Sequence, residues 1–158
     1  MLKKSICVLL VVAMMFSLCG CSDLLAAVGI LAVIMTSDDR ADKDEIFVFV
    51  RDHESQLLSA IEKDDFTEFE NQGFIKDIDA DEDAVDFSCG GAGMGSATAY
   101  VGFYYTPSHD MTAVWCAPYS EASLSPSGNG FLWQEPDSDN RYYTEQICGC
   151  FYYYEASF

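Results

Sequence analysis

The chain has 158 residues, half of them hydrophobic and 14% aromatic, with a formal net charge of −18 at pH 7. That apolar and aromatic content excludes a disordered acidic tail, and the length suits one domain with a modest core. A surface this negative repels phosphate backbones and anionic headgroups, so nucleic acid is excluded as a partner.

In chain order, Lys3 and Lys4 precede an apolar run of 13 residues, Ile6 to Leu18, which falls short of the ~20 residues of a spanning helix. Leu18-Cys19-Gly20-Cys21 follows. This stretch resembles the lipobox of bacterial lipoproteins. Leu18 offers the apolar side chain three residues before the cut, Gly20 leaves the cleavage point unobstructed, and the Cys21 thiol takes up the diacylglyceryl group. Cys19 stands where that pattern more often has Ala, Ser or Thr. The resemblance implies a signal peptide over 1–20 and cleavage between Gly20 and Cys21. The mature chain is then held by lipid on Cys21 at the extracytoplasmic face of the cell membrane. An uncleaved anchor or an ordinary secretory signal is the alternative reading. Two acyl chains, at ~0.8 kcal/mol per buried methylene, tether a protein durably. From Cys21 onward the chain carries 6 basic and 26 acidic side chains, net −20.

Residues 21–41 hold a second apolar run, Leu24 to Met35, which as a helix reaches only ~18 Å and is apolar on every side. It is expected against the membrane beside the lipid rather than inside the domain. Thr36 to Asp44 reads as a polar linker. The folded domain is expected over 42–158, opening with a helix over 42–65 that a capping box of Asp42 and Glu45 starts. Ile46, Phe49, Val50, His53, Leu57, Ala60 and Ile61 share one face of it. Asp64 and Asp65 end it, and Phe66, Phe69 and Phe74 supply apolar anchors before or within a short second helix.

Asp77 to Asp86 is the densest acidic run, and its alternating Asp residues bring a calcium loop to mind. The EF-hand pattern fails, because Glu82 stands at the sixth position where Gly is needed and Ser88 at the twelfth where Glu belongs. A solvated acidic turn is the plainer reading. All nine tyrosines and both tryptophans lie beyond Ala84. Strands are expected near Ala84 to Cys89, Ser96 to Tyr105, Met111 to Ala117, Gly130 to Gln134 and Arg141 to Tyr154. Short connections between them favour an antiparallel meander of about five strands with the helix packed on one face, an α+β class.

Cys89-Gly90-Gly91-Ala92-Gly93-Met94-Gly95-Ser96 lacks the lysine of a phosphate loop and reads as a hairpin tip or bulge. Cys89, Cys116, Cys148 and Cys150 remain after the N-terminal cysteines are set aside, and in an exported domain they are disulfide candidates. Cys148 and Cys150, two apart in a strand, are expected on one face. Their spacing does not suit zinc, so no metal and no cofactor is expected. His53 and His109, the two imidazoles, read as structural. The aromatic set is the most informative. Neighbours on a strand point to opposite faces, so one face of the sheet is core under the helix. The other is either shielded by the loop from Tyr119 to Gly130 or used for binding, with Tyr104, Trp115, Trp133 and Tyr152 as candidates.

Phe87-Ser88-Cys89-Gly90-Gly91, Gly102-Phe103-Tyr104-Tyr105, Trp133-Gln134-Glu135 and the closing Phe151-Tyr152-Tyr153-Tyr154-Glu155-Ala156-Ser157-Phe158 resemble small lipoproteins of Gram-positive anaerobes that have no assigned function. The likeness covers roughly the last 75 residues and implies no activity. The expectation is therefore a lipid-anchored module of the cell envelope that binds a glycan or protein ligand, or serves envelope structure, without catalysis. A small surface enzyme acting on glycans and a calcium-binding surface protein are the alternatives. Replacing the lipidated sulfur, Cys21→Ser, is expected to move the protein from the membrane to the soluble fraction of its native host, read by fractionation and intact-mass spectrometry.

Overall fold

The computed structural model describes residues 40–94 and 97–158; Gly20, Cys21 and the apolar run 24–35 lie outside them. Among the described residues no helix is long and apolar enough to cross a membrane. Helix α1 spans Lys43–Lys63. Asp42 caps it, its carboxylate accepting the Asp44 amide at 2.8 Å, and Asp64 closes it in the left-handed conformation with its N–H directed to the carbonyls of Ala60 and Ile61. The helix thus lies N-terminal to the sheet rather than at the start of the chain. Its buried stripe is Ile46, Phe49, Val50, Leu57 and Ala60, as the spacing predicts. His53 is half-buried, stacked on Phe49 at 4.4 Å with Nδ1 2.9 Å from the Phe49 carbonyl. No second helix follows. Turns over 64–76 carry Phe69 and Ile75 into the core and lay Phe66 and Phe74 against it.

Lys43 opens the helix, where a cation opposes the helix dipole. Its ammonium lies 5.2, 5.0 and 5.2 Å from the rings of Phe47, Tyr143 and Tyr153 and pairs with Glu145. Burial pushes the Glu145 carboxyl up, but hydrogen bonds from Lys43 and Tyr143 outweigh that and hold it below its ordinary value. The start of α1 is pinned to the sheet by this cluster.

Among the described residues the sheet has seven antiparallel strands, not five: β1 Asp77–Ala80, β2 Val85–Met94, β3 Ala97–Tyr105, β4 Ser125–Ser127, β5 Gly130–Gln134, β6 Arg141–Cys148 and β7 Phe151–Ser157. Their order is β1-β2-β3-β7-β6-β5-β4, so two meanders meet where β7 pairs with β3. Both edge strands are short, β1 carrying Asp77 and Asp79 and β4 carrying Pro126. The segment expected as one strand over Arg141 to Tyr154 is a hairpin, β6 and β7, turned at Gly149 with φ +48°. Cys148 and Cys150 flank that turn rather than sharing a strand face. Met111 to Ala117 is not a strand; it belongs to the connection 106–124, built from turns and the short 3-10 helix Glu121–Ser123. Cys89 to Met94 of the glycine-rich segment fall in β2, whose ladder to β3 shifts register between Ser88 and Gly91.

Alternation on the two central strands divides the core in two. Val101 and Phe103 of β3 and Phe151 and Tyr153 of β7 join the cluster under α1, where Phe87 stacks on Phe103 at 4.5 Å. Tyr104, Tyr152, Tyr154 and Ala156 face the other way and pack with Tyr142, Val114 and Cys116. The connection 106–124 supplies Val114 and Cys116, and thereby covers the second face. It leaves β3 at the centre and enters β4 at the far edge, crossing that face on the way.

Gly102 of β3 stands between Ser88 of β2 and Tyr154 of β7. A Cβ there would lie 2.5 Å from the Phe87 carbonyl and 2.7 Å from the Tyr154 ring. Gly102→Ala is expected to cost about 1–3 kcal/mol of stability by overpacking, read as a lower urea midpoint for the full chain in detergent.

Candidate functional site

The strongest concave aromatic surface is where the connection 106–124 meets β5 and the end of the chain. A groove of ≈610 Å³ is lined by Trp115, Cys116, Ala117, Pro118, Tyr119, Ser120, Ser123, Trp133, Glu135 and Phe158. Trp115 is 63% exposed and Tyr119 is fully exposed, while Trp133 is half-buried against the second-face cluster. The Trp115 ring is steadied edge-on by Tyr100 at 5.0 Å and 82°. Ser120 caps the short 3-10 helix, accepting the Ala122 amide at 3.2 Å, and the Met111 amide donates to Glu121 at 2.7 Å, so the wall of the groove is internally tied. Glu135 accepts from the Asn140 side chain at 2.6 Å. Among the described residues it is the one carboxylate lining the groove.

Of the four aromatic residues expected on a binding face, the structure brings Trp115 and Trp133 to this groove and places Tyr104 and Tyr152 inside. Tyr104 is fully buried and Tyr152 nearly so, because residues 106–124 lie over them. The cover comes chiefly from Met111 to Ala117, which the sequence pattern presents as a strand, while the loop from Tyr119 to Gly130 adds Leu124 to it. The Tyr104 hydroxyl meets Thr144 at 3.0 Å, Tyr142 donates to the Met111 carbonyl at 3.0 Å, and Thr144 donates to the Tyr153 carbonyl at 3.0 Å. The Tyr142 bond fastens the cover to the sheet, the other two run between strands, and all three satisfy hydroxyls that burial would otherwise penalise. Tyr119 was not among the sequence candidates. A single tyrosine in a loop has no periodic partner to reveal it.

Among the described residues the cysteines are unbridged: Cys89, Cys116, Cys148 and Cys150 are free thiols. Cys89 belongs to the cluster under α1 and Cys116 to the opposite one, so the sheet separates them. Burial pushes both thiols well up, with the charge of Asp86 adding to each. Cys148 packs toward the α1 side, whereas Cys150 lies 3.8 Å from His109 Nε2. The acidic run folds into the β1–β2 hairpin, where Asp79 stands opposite Asp86. Among the described residues no group of three or more His, Cys, Asp or Glu side chains converges to hold a metal ion.

Beneath Trp115, Asp86 projects from β2 to the second face. Tyr154 donates to its Oδ2 at 3.4 Å, and its Oδ1 is buried with no hydrogen-bond partner. Burial raises this carboxyl to about 7 against the opposing pull of the Tyr154 hydroxyl; Asp79 and Asp77 push it further up and the Trp115 indole pulls it down.

No known family model matches the chain, and no curated protein and no solved structure matches it either.

An acid whose folded pKa lies above its unfolded value holds its proton more tightly when folded. The Asp86 contribution is therefore full below about pH 4 and is lost as pH rises toward 7. Asp86→Asn is expected to stabilise the fold at pH 8 by on the order of 2–4 kcal/mol and to leave little difference at pH 4. Thermal melts of both proteins across that range check it.

Proposed function

We propose that the protein is a lipid-anchored, extracytoplasmic, non-catalytic binding module whose Trp115–Trp133 groove takes a neutral glycan. The groove itself carries this reading. Two indoles and the Tyr119 ring line a cleft edged by the hydroxyls of Ser120 and Ser123 and the Glu135 carboxylate. Sugar rings present C–H faces that stack on aromatic rings and rims of hydroxyls that need hydrogen-bond partners, which is the mixture found here. The net charge of −20 on the chain from Cys21 onward disfavours anionic polymers and leaves neutral or amino sugars as the class that can approach. The anchor rests on the Leu18-Cys19-Gly20-Cys21 stretch and its short apolar lead.

Hydrolysis of a glycosidic bond would ask for two carboxyl groups facing each other across the cleft. The described lining offers Glu135, a geometry that favours holding a glycan over cutting it. Among the described residues, a depression of ≈350 Å³ at the start of α1 has Tyr153 as its one ring, and two larger ones have none. One at the end of α1, ≈670 Å³, is lined by Ser55, Gln56, Ser59, Ala60, Lys63, Asp65, Thr67 and Glu68.

Titrating the full chain in detergent with soluble N-acetylglucosamine oligomers, with tryptophan fluorescence as the readout, is expected to give a saturable change. Trp115→Ala should weaken that binding at least tenfold, about 1.4 kcal/mol, without lowering the melting temperature, because the ring is largely outside the core. Binding unaffected by Trp115→Ala, or no binding of neutral oligosaccharides at all, overturns the reading.

A further inference from the structure

Away from the groove, two side chains from turns and one from β7 form a cluster that the glycan reading does not use. Cys150 sits in the β6–β7 turn and His109 in the turn after β3, and the Thr106 amide donates to the Cys150 carbonyl at 3.0 Å, holding the two turns together. The Cys150 sulfur is 3.8 Å from His109 Nε2, and His109 Nδ1 is 2.9 Å from the Tyr152 hydroxyl. His109 has φ +60°, a left-handed conformation uncommon for a histidine, and its ring is set edge-on to Tyr152 at 76°. Cys150 is partly exposed and His109 exposed, so a reagent has access to both.

We propose that Cys150 is a reactive thiol, activated by His109 and oriented through Tyr152, that exchanges with small or peptide disulfides. For Nε2 to take the thiol proton, Nδ1 carries the ring hydrogen and donates it to the Tyr152 oxygen, and that contact sets the tautomer. The Cys150 proton passes to Nε2, and the sulfur electron pair attacks one sulfur of the incoming disulfide. A new S–S bond forms at Cys150 as the old one breaks. The departing thiolate takes the proton back from the imidazolium and leaves as a free thiol. Cys150 is oxidised to a mixed disulfide and half of the incoming disulfide is reduced, so electrons and atoms balance.

Disulfide exchange suits the site better than acyl transfer. Acyl chemistry needs donors aimed at a developing oxyanion, and the nearby Gln146 amide is committed to the Gly149 carbonyl at 2.8 Å. Exchange needs only a nucleophilic sulfur and a proton acceptor. The other three thiols serve as internal controls, since burial raises Cys89, Cys116 and Cys148, the last with help from Glu54.

The test treats the full chain in detergent with cystamine, a cationic disulfide, at pH 7, quenches at intervals and maps the modified cysteine by mass spectrometry. Cys150 is expected to be modified first and roughly tenfold or more faster than the same thiol in the urea-unfolded chain. His109→Asn, chosen because Asn tolerates the left-handed backbone, should erase that advantage. A native Cys150 no faster than its unfolded counterpart overturns the proposal whether or not the variant folds, and so does an undiminished rate in a folded His109→Asn protein.

Discussion

The architecture follows from one geometric constraint on its two central strands. β3 and β7 carry bulky rings at consecutive positions, Phe103 and Tyr104 in one, Phe151 to Tyr154 in the other. A strand sends consecutive side chains to opposite faces, so neither face of the sheet centre can be left to water. Helix α1 answers on one side. The segment 106–124, without regular structure of its own beyond one 3-10 turn, answers on the other. This is a three-layer solution in which the third layer is a loop.

The functional surfaces are consequences of that third layer. Because a loop cannot bury every side chain it carries, Val114 and Cys116 go inward while Trp115 between them is left outside, beside Tyr119 and over Trp133. The same cover shuts Asp86 away from water beneath Trp115, which accounts for its raised carboxyl. The Cys150, His109 and Tyr152 cluster arises where the loop first leaves β3 and passes the β6–β7 turn.

How much of this was legible in the sequence depends on the range of the interaction that decides each element. Helix α1 and its caps are local, and the spacing from Ile46 to Ala60 together with Asp42 and Asp64 announces them. The glycine-rich stretch announces a bulge for a similar reason. Met111 to Ala117 mimics a strand because apolar residues recur through it, yet they recur to cover tyrosines rather than to join a ladder, and the distinction lies in partners far along the chain. The β6–β7 turn hides behind continuous aromatic residues and is marked only by Gly149. β1 passes for an acidic coil and β4 contains proline, so neither carries the composition of a strand. Of the binding candidates, Trp115 and Trp133 are within reach, while Tyr104 and Tyr152 stand beside them with the face left open between shielded and used, because nothing local says which face a loop will cover. Bridges among the cysteines were expected from compartment alone. Their placement on opposite sides of the sheet is a tertiary fact.

The strand order has a bearing on how the molecule comes into being. β7 follows the other six described strands along the chain and is the one that joins β3 to β6, its residues pairing along both neighbours from Phe151 to Ser157. Until it emerges, β1 to β3 and β4 to β6 are two open half-sheets, each with an aromatic edge and no shared ladder. Cooperative folding therefore waits for β7 to dock between them, since pairings of such long sequence separation close late.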